Sequence, residues 1–243
     1  FAQSIGMGGL GYLEVKEELK YKGPIDKFIP DDMKMELAEM AGLQEGDTIF
    51  FIAAPEKAAC IYAGQIRNEL GSRLDLLEKD AYCFCYINDF PMYEIDEETG
   101  KLGFTHNPFS MPQGGLEALN EKDPLDILAY QYDIVCNGVE LSSGAVRNHD
   151  MEIMEKAFDI AGYDKETLKD KFGALYNAFQ FGAPPHAGMA PGVDRMIMLL
   201  RNEENIREII AFPMSGTAQD LMCGAPNEIT EQQLREVHIK VRD

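Results

Sequence analysis

Apolar and polar positions make "GLGYLEVKEE" (residues 9–18) strand-like, while "IPDDMKMELAEMAGL" (29–43) places Pro30 and two aspartates ahead of a helical pattern. "EGDTIFFIAA" (45–54) then reads as a turn leading into a second strand. These elements predict a small α+β module over residues 1–75. The glycines of "GMGGLG" (6–11) resemble a phosphate loop only loosely, because no strand precedes them and Leu10, Tyr12 and Val15 read as packing residues. A flexible turn is the expectation there.

Residues 76–243 carry a different pattern. The aromatic-rich run "AYCFCYINDFPMYEI" (81–95) predicts a buried strand ending at Asp89 and Pro91. "DEETGK" (96–101) makes a hairpin-like turn, and "LGFTHNPFS" (102–110) returns from it. In "QYDIVCNGVEL" (131–141), two strand patterns flank Asn137-Gly138, a strong hairpin signal, so the sheet is expected to be antiparallel. Two helices follow. Ile153, Met154, Ala157, Phe158 and Ala161 recur at helical spacing in the first, and Leu168, Phe172, Leu175 and Phe179 in the second, before Gly182. After the loop at 181–192, a helix from Val193 is expected to pack Met196, Ile197, Leu199 and Leu200 on the sheet. The fold class expected is α+β.

Charge narrows the range of functions. Twenty-two Lys and Arg stand against 42 Asp and Glu, a formal net charge of -20, which argues against a broad surface that tracks phosphates. The five cysteines are odd in number, and their one close pair, Cys83-x-Cys85, suits neither zinc nor a disulfide framework. They are expected to be reduced and mostly in the core of a cytoplasmic protein. No apolar stretch approaches the ~20 residues that span a bilayer, so no membrane partner is expected. The chain opens on Phe1, and "FAQSIGMGGLGYLEV" reads as the inside of a folded unit, so a piece of a longer protein is expected.

Candidate chemistry sits on this frame. With Asn137 and Gly138 as a two-residue turn, Cys136 faces Val139 and Val135 faces Glu140. Asp133 then shares a face with Glu140 as its diagonal neighbour, at roughly 7 to 8 Å between backbone positions. Such a pair can converge on Mg²⁺, which takes one or two carboxylates plus substrate phosphates; alternatively both are solvated charges on an exposed face. "FGAPPHAGMAPGVDRMIMLL" (181–200) sets a glycine- and proline-rich loop against a helix with Asp194 and Arg195 in its first turn. A helix N-terminus and a guanidinium can meet a phosphate, with Asp194 holding Arg195 in place. A structural ion pair is the other reading of Arg195.

That stretch closely resembles the third signature motif of class II aminoacyl-tRNA synthetases, in wording similar to the bacterial-type aspartyl enzymes. "DFPMYE" (89–94), "THNPFS" (105–110), "AYQYDIVCNGVELSSGAVRNHD" (129–150) and "NIREIIAFPMSGTAQDLMCGAP" (205–226) occur in that family's order. Nearly all of residues 77–243 are covered, as the C-terminal part of the catalytic domain. Residues 1–75 resemble the later part of the insertion domain of those enzymes, which also occurs in an amidotransferase subunit.

The resemblance implies ATP-dependent activation of L-aspartate to aspartyl-adenylate, followed by transfer to tRNA(Asp), in a full-length homodimer. By motif position, Arg195 binds the ATP γ-phosphate, and Gly192, Val193, Asp194 and Glu140 complete the nucleotide contact; Arg195 and Glu140 are the catalytic residues. Asp133 and Glu140 hold Mg²⁺, while His106 and Arg147 bind aspartate, the latter through a two-pronged carboxylate contact. Three departures accompany the match. His106 is followed by Asn107 where many bacterial members have two histidines, and "LSSGA" (141–145) replaces a glycine-rich version. The first and second motifs and the anticodon-binding domain, which carry most tRNA recognition, have no counterpart, so little activity is expected of these 243 residues alone. The rival expectations are a relaxed aspartyl/asparaginyl enzyme and a noncatalytic synthetase-like binding module.

Overall fold

The computed structural model describes residues 1–242. They divide into two compact units, Phe1–Ala81 and Tyr82–Asp243. The division falls after Ala81 rather than after residue 75, because Leu76 still donates its N–H to Gly71 O (2.9 Å) and the Leu77 side chain lies against Gly71.

In the first unit, β1 (Gly11–Lys16), β2 (Lys20–Lys22), α1 (Asp31–Ala41) and β3 (Thr48–Phe51) follow one another, and the antiparallel sheet has the order β2-β1-β3. Alternation along β1 buries Leu13 and Val15, which join Tyr21 in a core closed by Ile25, Ile29, Leu37, Leu43, Ile49 and Phe51. Helix α1 starts after Pro30, carries Asp31 and Asp32 against its positive end, and stops at Gly42 in the left-handed region (φ 61°). An 18-residue helix, α2 (Glu56–Arg73), completes the unit.

The second unit contains β4 (Phe84–Pro91), the hairpin strands β5 (Tyr93–Ile95) and β6 (Leu102–Phe104), and α3 (Gly115–Glu121). Next come β7 (Leu128–Cys136), β8 (Val139–Val146), α4 (Met151–Ile160), α5 (Lys165–Phe179), β9 (Ala187–Pro191), α6 (Val193–Leu200) and α7 (Glu231–Glu236). Its main sheet is antiparallel throughout, in the order β4-β7-β8-β9, and helices flank it, so the architecture is α+β. Asn137 and Gly138 both take positive φ (50° and 81°), which a two-residue turn with the twist of its strands requires. The Asp150 side chain caps α4 by accepting from Glu152 N and Ile153 N, and Asp164 caps α5 by accepting from Thr167 N. Met154, Phe158, Leu168 and Tyr176 are buried between the two helices, with Phe104, Phe109 and Phe172 packed around them.

Four expectations change. Strand β4 forms but is an edge strand, with Phe84 65 % and Tyr86 68 % exposed. Part of the loop expected at 181–192 is β9, whose "AGMAP" has weak strand propensity and is drawn into the sheet by pairing with β8. On α6 the buried residue is Met198, while Met196, Ile197 and Leu200 remain exposed. Of the cysteines only Cys136 is buried; Cys60, Cys83, Cys85 and Cys223 are exposed, and all five are free thiols.

Candidate functional site

A pocket of about 540 Å³ opens on one face of the main sheet. His106, Gln131, Asp133, Glu140, Ser143 and Arg147 line it, together with Gly188, Met189 and Ala190 of β9. Residues separated by tens of positions in the chain thus meet in one cavity because β7, β8 and β9 lie side by side.

The hairpin register explains how the two acids reach this face. Val135 pairs with Glu140 and Cys136 with Val139, as the turn dictates, but Ile134 pairs with Ser142 and Asp133 with Ser143. Leu141 is therefore an extra residue, a β-bulge, and Leu141 and Ser142 are both buried in succession. Asp133, Glu140 and Ser143 still face the pocket together. A regular ladder would have set Ser142 opposite Asp133.

The bulge also positions α6. Leu141 O accepts from Gly192 N (2.7 Å), and Glu140 O accepts from Arg195 Nη1 (2.7 Å). The same Arg195 nitrogen lies 3.3 Å from Glu140 Oε1. Arg195 is therefore paired with Glu140 rather than with Asp194, which is exposed at the start of the helix. Gly192, Val193, Asp194 and Arg195 itself are outside the pocket lining, Arg195 adjoining it through Glu140, and the Gly192 N–H is already used. An anion reaching this end of the pocket would meet the Arg195 guanidinium, about 44 % exposed, before the helix terminus.

Burial and the neighbouring Glu140 raise the Asp133 carboxyl above its ordinary range, against the opposing pull of His106 and Arg195. Among the described residues no group of three or more acidic, His or Cys side chains could hold a metal by itself. Two carboxylates crowded on one face nonetheless fit a hard cation that takes its other ligands from phosphates and water.

At the opposite end of the pocket is Arg147, with which no carboxylate forms an ion pair among the described residues. Its backbone is fixed, since Arg147 N donates to His186 O (2.9 Å) and the residue bridges to Ser110. His106 packs edge-on against Phe90 with ring centroids 5.2 Å apart. Asn107 turns onto its own loop: its Oδ1 accepts from Phe109 N (2.9 Å) and its carbonyl accepts from Ser110 N (3.2 Å). Glycine is required at Gly144, where an added Cβ would lie 2.5 Å from Gly188 O and from the Tyr132 ring. The Tyr132 hydroxyl uses that space to donate to Gly188 O (2.9 Å), tying β7 to β9 across β8.

Sequence reasoning missed Gln131, a buried amide between Asp133 and the 106–110 loop, and Ser143. For Gln131 the available signal was strand alternation, which places it on the face of Asp133; alternation points to Ser142 instead of Ser143, which reaches the pocket only through the bulge.

The family of class II tRNA synthetases (D, K and N) matches residues 13–216. An aspartate--tRNA ligase from Streptomyces coelicolor is 56 % identical over 242 residues, covering 100 % of this chain and 41 % of the relative. An aspartate--tRNA(Asp/Asn) ligase from Zymomonas mobilis is 55 % identical over 241 residues, covering 99 % and 40 % respectively. A solved aspartyl tRNA synthetase from Entamoeba histolytica is 25 % identical with a TM-score of 0.43, covering 76 % of this chain and 31 % of that one. The chain thus spans about 40 % of the length of the curated relatives it matches.

Proposed function

Since the chain belongs to the class II tRNA synthetases of the D, K and N group, we propose that its pocket is the aspartate- and ATP-binding part of an aspartate–tRNA ligase. On this reading residues 1–75 are part of an insertion domain and residues 76–243 the C-terminal part of the catalytic domain of a longer, cytoplasmic, homodimeric enzyme. The observation that carries the reading is the meeting of His106, Asp133, Glu140 and Arg147 in one cavity, with Arg195 clamped to Glu140 at its edge.

Each group has a task in this reaction. Arg147, free of any protein carboxylate partner among the described residues, receives the side-chain carboxylate of aspartate, with His106 beside it. Arg195 stabilises negative charge on the γ-phosphate, and Gly192, Val193 and Asp194 flank the nucleotide. Asp133 and Glu140 would hold Mg²⁺, which when bound neutralises phosphate charge. Adenylate formation needs no protein nucleophile: the aspartate α-carboxylate attacks the α-phosphate and pyrophosphate leaves, so positioning and fixed charge supply the catalysis. Transfer to tRNA(Asp) would use surfaces mostly outside these 243 residues.

The test is aspartate-dependent ATP–pyrophosphate exchange in the full-length protein and its Arg195→Ala variant. Loss of at least about a hundredfold in exchange is expected, the scale of removing a transition-state charge contact. Near-normal exchange in a folded variant rejects the phosphate role. The 243-residue chain alone is expected to exchange little. A second reading, activity on both tRNA(Asp) and tRNA(Asn), draws support from the 55 % identity to the Zymomonas mobilis ligase named for both. Charging the two purified tRNAs separates the readings.

A further inference from the structure

Gln131 is 7 % exposed, lines the pocket beside Asp133 and points its Nε2 at Asn107 O, 3.4 Å away. A backbone carbonyl can only accept, so this contact fixes which end of the amide faces the loop. The same carbonyl already accepts from Ser110 N, and the Asn107 side chain accepts from Phe109 N. Two residues along the turn, Phe109 O accepts from Asn148 N (2.7 Å) just beyond β8. The turn that presents His106 is therefore held from its own residues and from the end of β8; β7 pins the chain just after it, where Tyr130 N donates to Met111 O (2.9 Å), and Gln131 adds a side-chain contact from β7 to the turn itself. Gln131 pairs with Ala145 in the ladder, two residues from Arg147 on one strand and two from Asp133 on the other. Its anchor thus lies between the acidic end of the pocket and the Arg147 end.

We propose that Gln131 is a positioning residue for the amino-acid end of the pocket: its amide donates to Asn107 O and so holds the His106–Ser110 turn against β7, keeping His106 aimed at the substrate. This rests on the aspartate–tRNA ligase reading for its kinetic consequence, though not for the tether itself. A long, weakly directed bond to a loop carbonyl is a small contribution to folding, but it is placed where displacement of an imidazole is felt only by the amino acid. ATP, held at the Arg195 end, is indifferent to it.

Two substitutions separate a donor from a filler. Gln131→Met keeps length and bulk and has no N–H; Gln131→Glu keeps the shape and turns the donor into a second acceptor facing a carbonyl. In the full-length protein both are expected to raise the KM for aspartate about five- to tenfold while the KM for ATP changes less than about twofold, the scale of one lost hydrogen bond. In the 243-residue chain, amide hydrogen exchange at Phe109 and Ser110 is expected to accelerate by a similar factor in both variants, with the amides of α4 unchanged. A Met variant with wild-type KM for aspartate and wild-type protection at Phe109 and Ser110 overturns the proposal, because occupancy of space would then be the whole role. Should the wild-type enzyme show no aspartate-dependent exchange, the ligase reading fails, and amide protection alone decides the tether.

Discussion

The helical layer of the second unit and the pocket face of its sheet treat polar groups in opposite ways. Between α4 and α5 the charges at the helix ends and at Glu155 have partners. Glu155 accepts from Lys165 Nζ (3.0 Å) and from the Tyr176 hydroxyl (2.5 Å), both helix N-termini are capped by aspartates, and Tyr93 OH donates to Ala157 O. On the pocket face, two carboxylates crowd each other and Arg147 has no ion-pair partner among the described residues. Stability is concentrated where polarity is satisfied. Reactivity is expected where satisfaction has been withheld for a ligand to complete.

The largest perturbation of this contrast is Phe158→Ala. Phe158 is fully buried and touches the rings of Phe104, Phe109, Tyr163 and Phe172. Its truncation is expected to cost about 3–5 kcal/mol and to unfold the second unit at lower denaturant, read by urea titration. Loss below about 1 kcal/mol would mean that the aromatic cluster is not the stabilising centre.

Glu155→Gln probes the matched charges with a smaller effect. Burial pushes the Glu155 carboxyl up, but the hydrogen bonds from Lys165 and Tyr176 and the nearby lysine charges outweigh it and leave the value lowered. A lowered native value means that the stabilisation is present above the unfolded carboxylate's titration near about pH 4.3 and is lost as pH falls through the native value. The variant should therefore be less stable by about 1 kcal/mol at pH 7, and the gap should close on acidification; a gap independent of pH contradicts the assignment.

Asp133→Asn gives the smallest change and the opposite sign. Removing one of two crowded carboxylates is expected to raise Tm by roughly one to three degrees in metal-free buffer at pH 7, while the full-length enzyme loses exchange. A lowered Tm would show that the acid is stabilising, and the contrast between the two regions would be gone.

Legibility in the sequence followed the same division. Met154, Ala157 and Phe158 were readable from 3.6-residue spacing because α4 finds its partners nearby in the chain. The Asn137-Gly138 turn was readable because few residue pairs tolerate two positive φ angles. Helix α2 escaped detection: only Ile66 is buried along its 18 residues, so the periodic signal is faint. Strand β4 and the apolar residues of α6 show a further limit, since an apolar pattern reports which surface favours burial and says nothing of what covers it. In the pocket, spacing alone reached Asp133, Glu140 and Arg195, whereas His106 and Arg147 were found only through family resemblance. The Leu141 bulge and the Gln131 tether depend on contacts between strands, which no local window contains.

The bulge at Leu141 makes the carboxylate and the guanidinium parts of a single mount. Adjacent carbonyls, Glu140 O and Leu141 O, hold Arg195 and Gly192, the residue that precedes its helix, while the Glu140 side chain faces the cavity. A shift of β8 is therefore expected to carry both charges together.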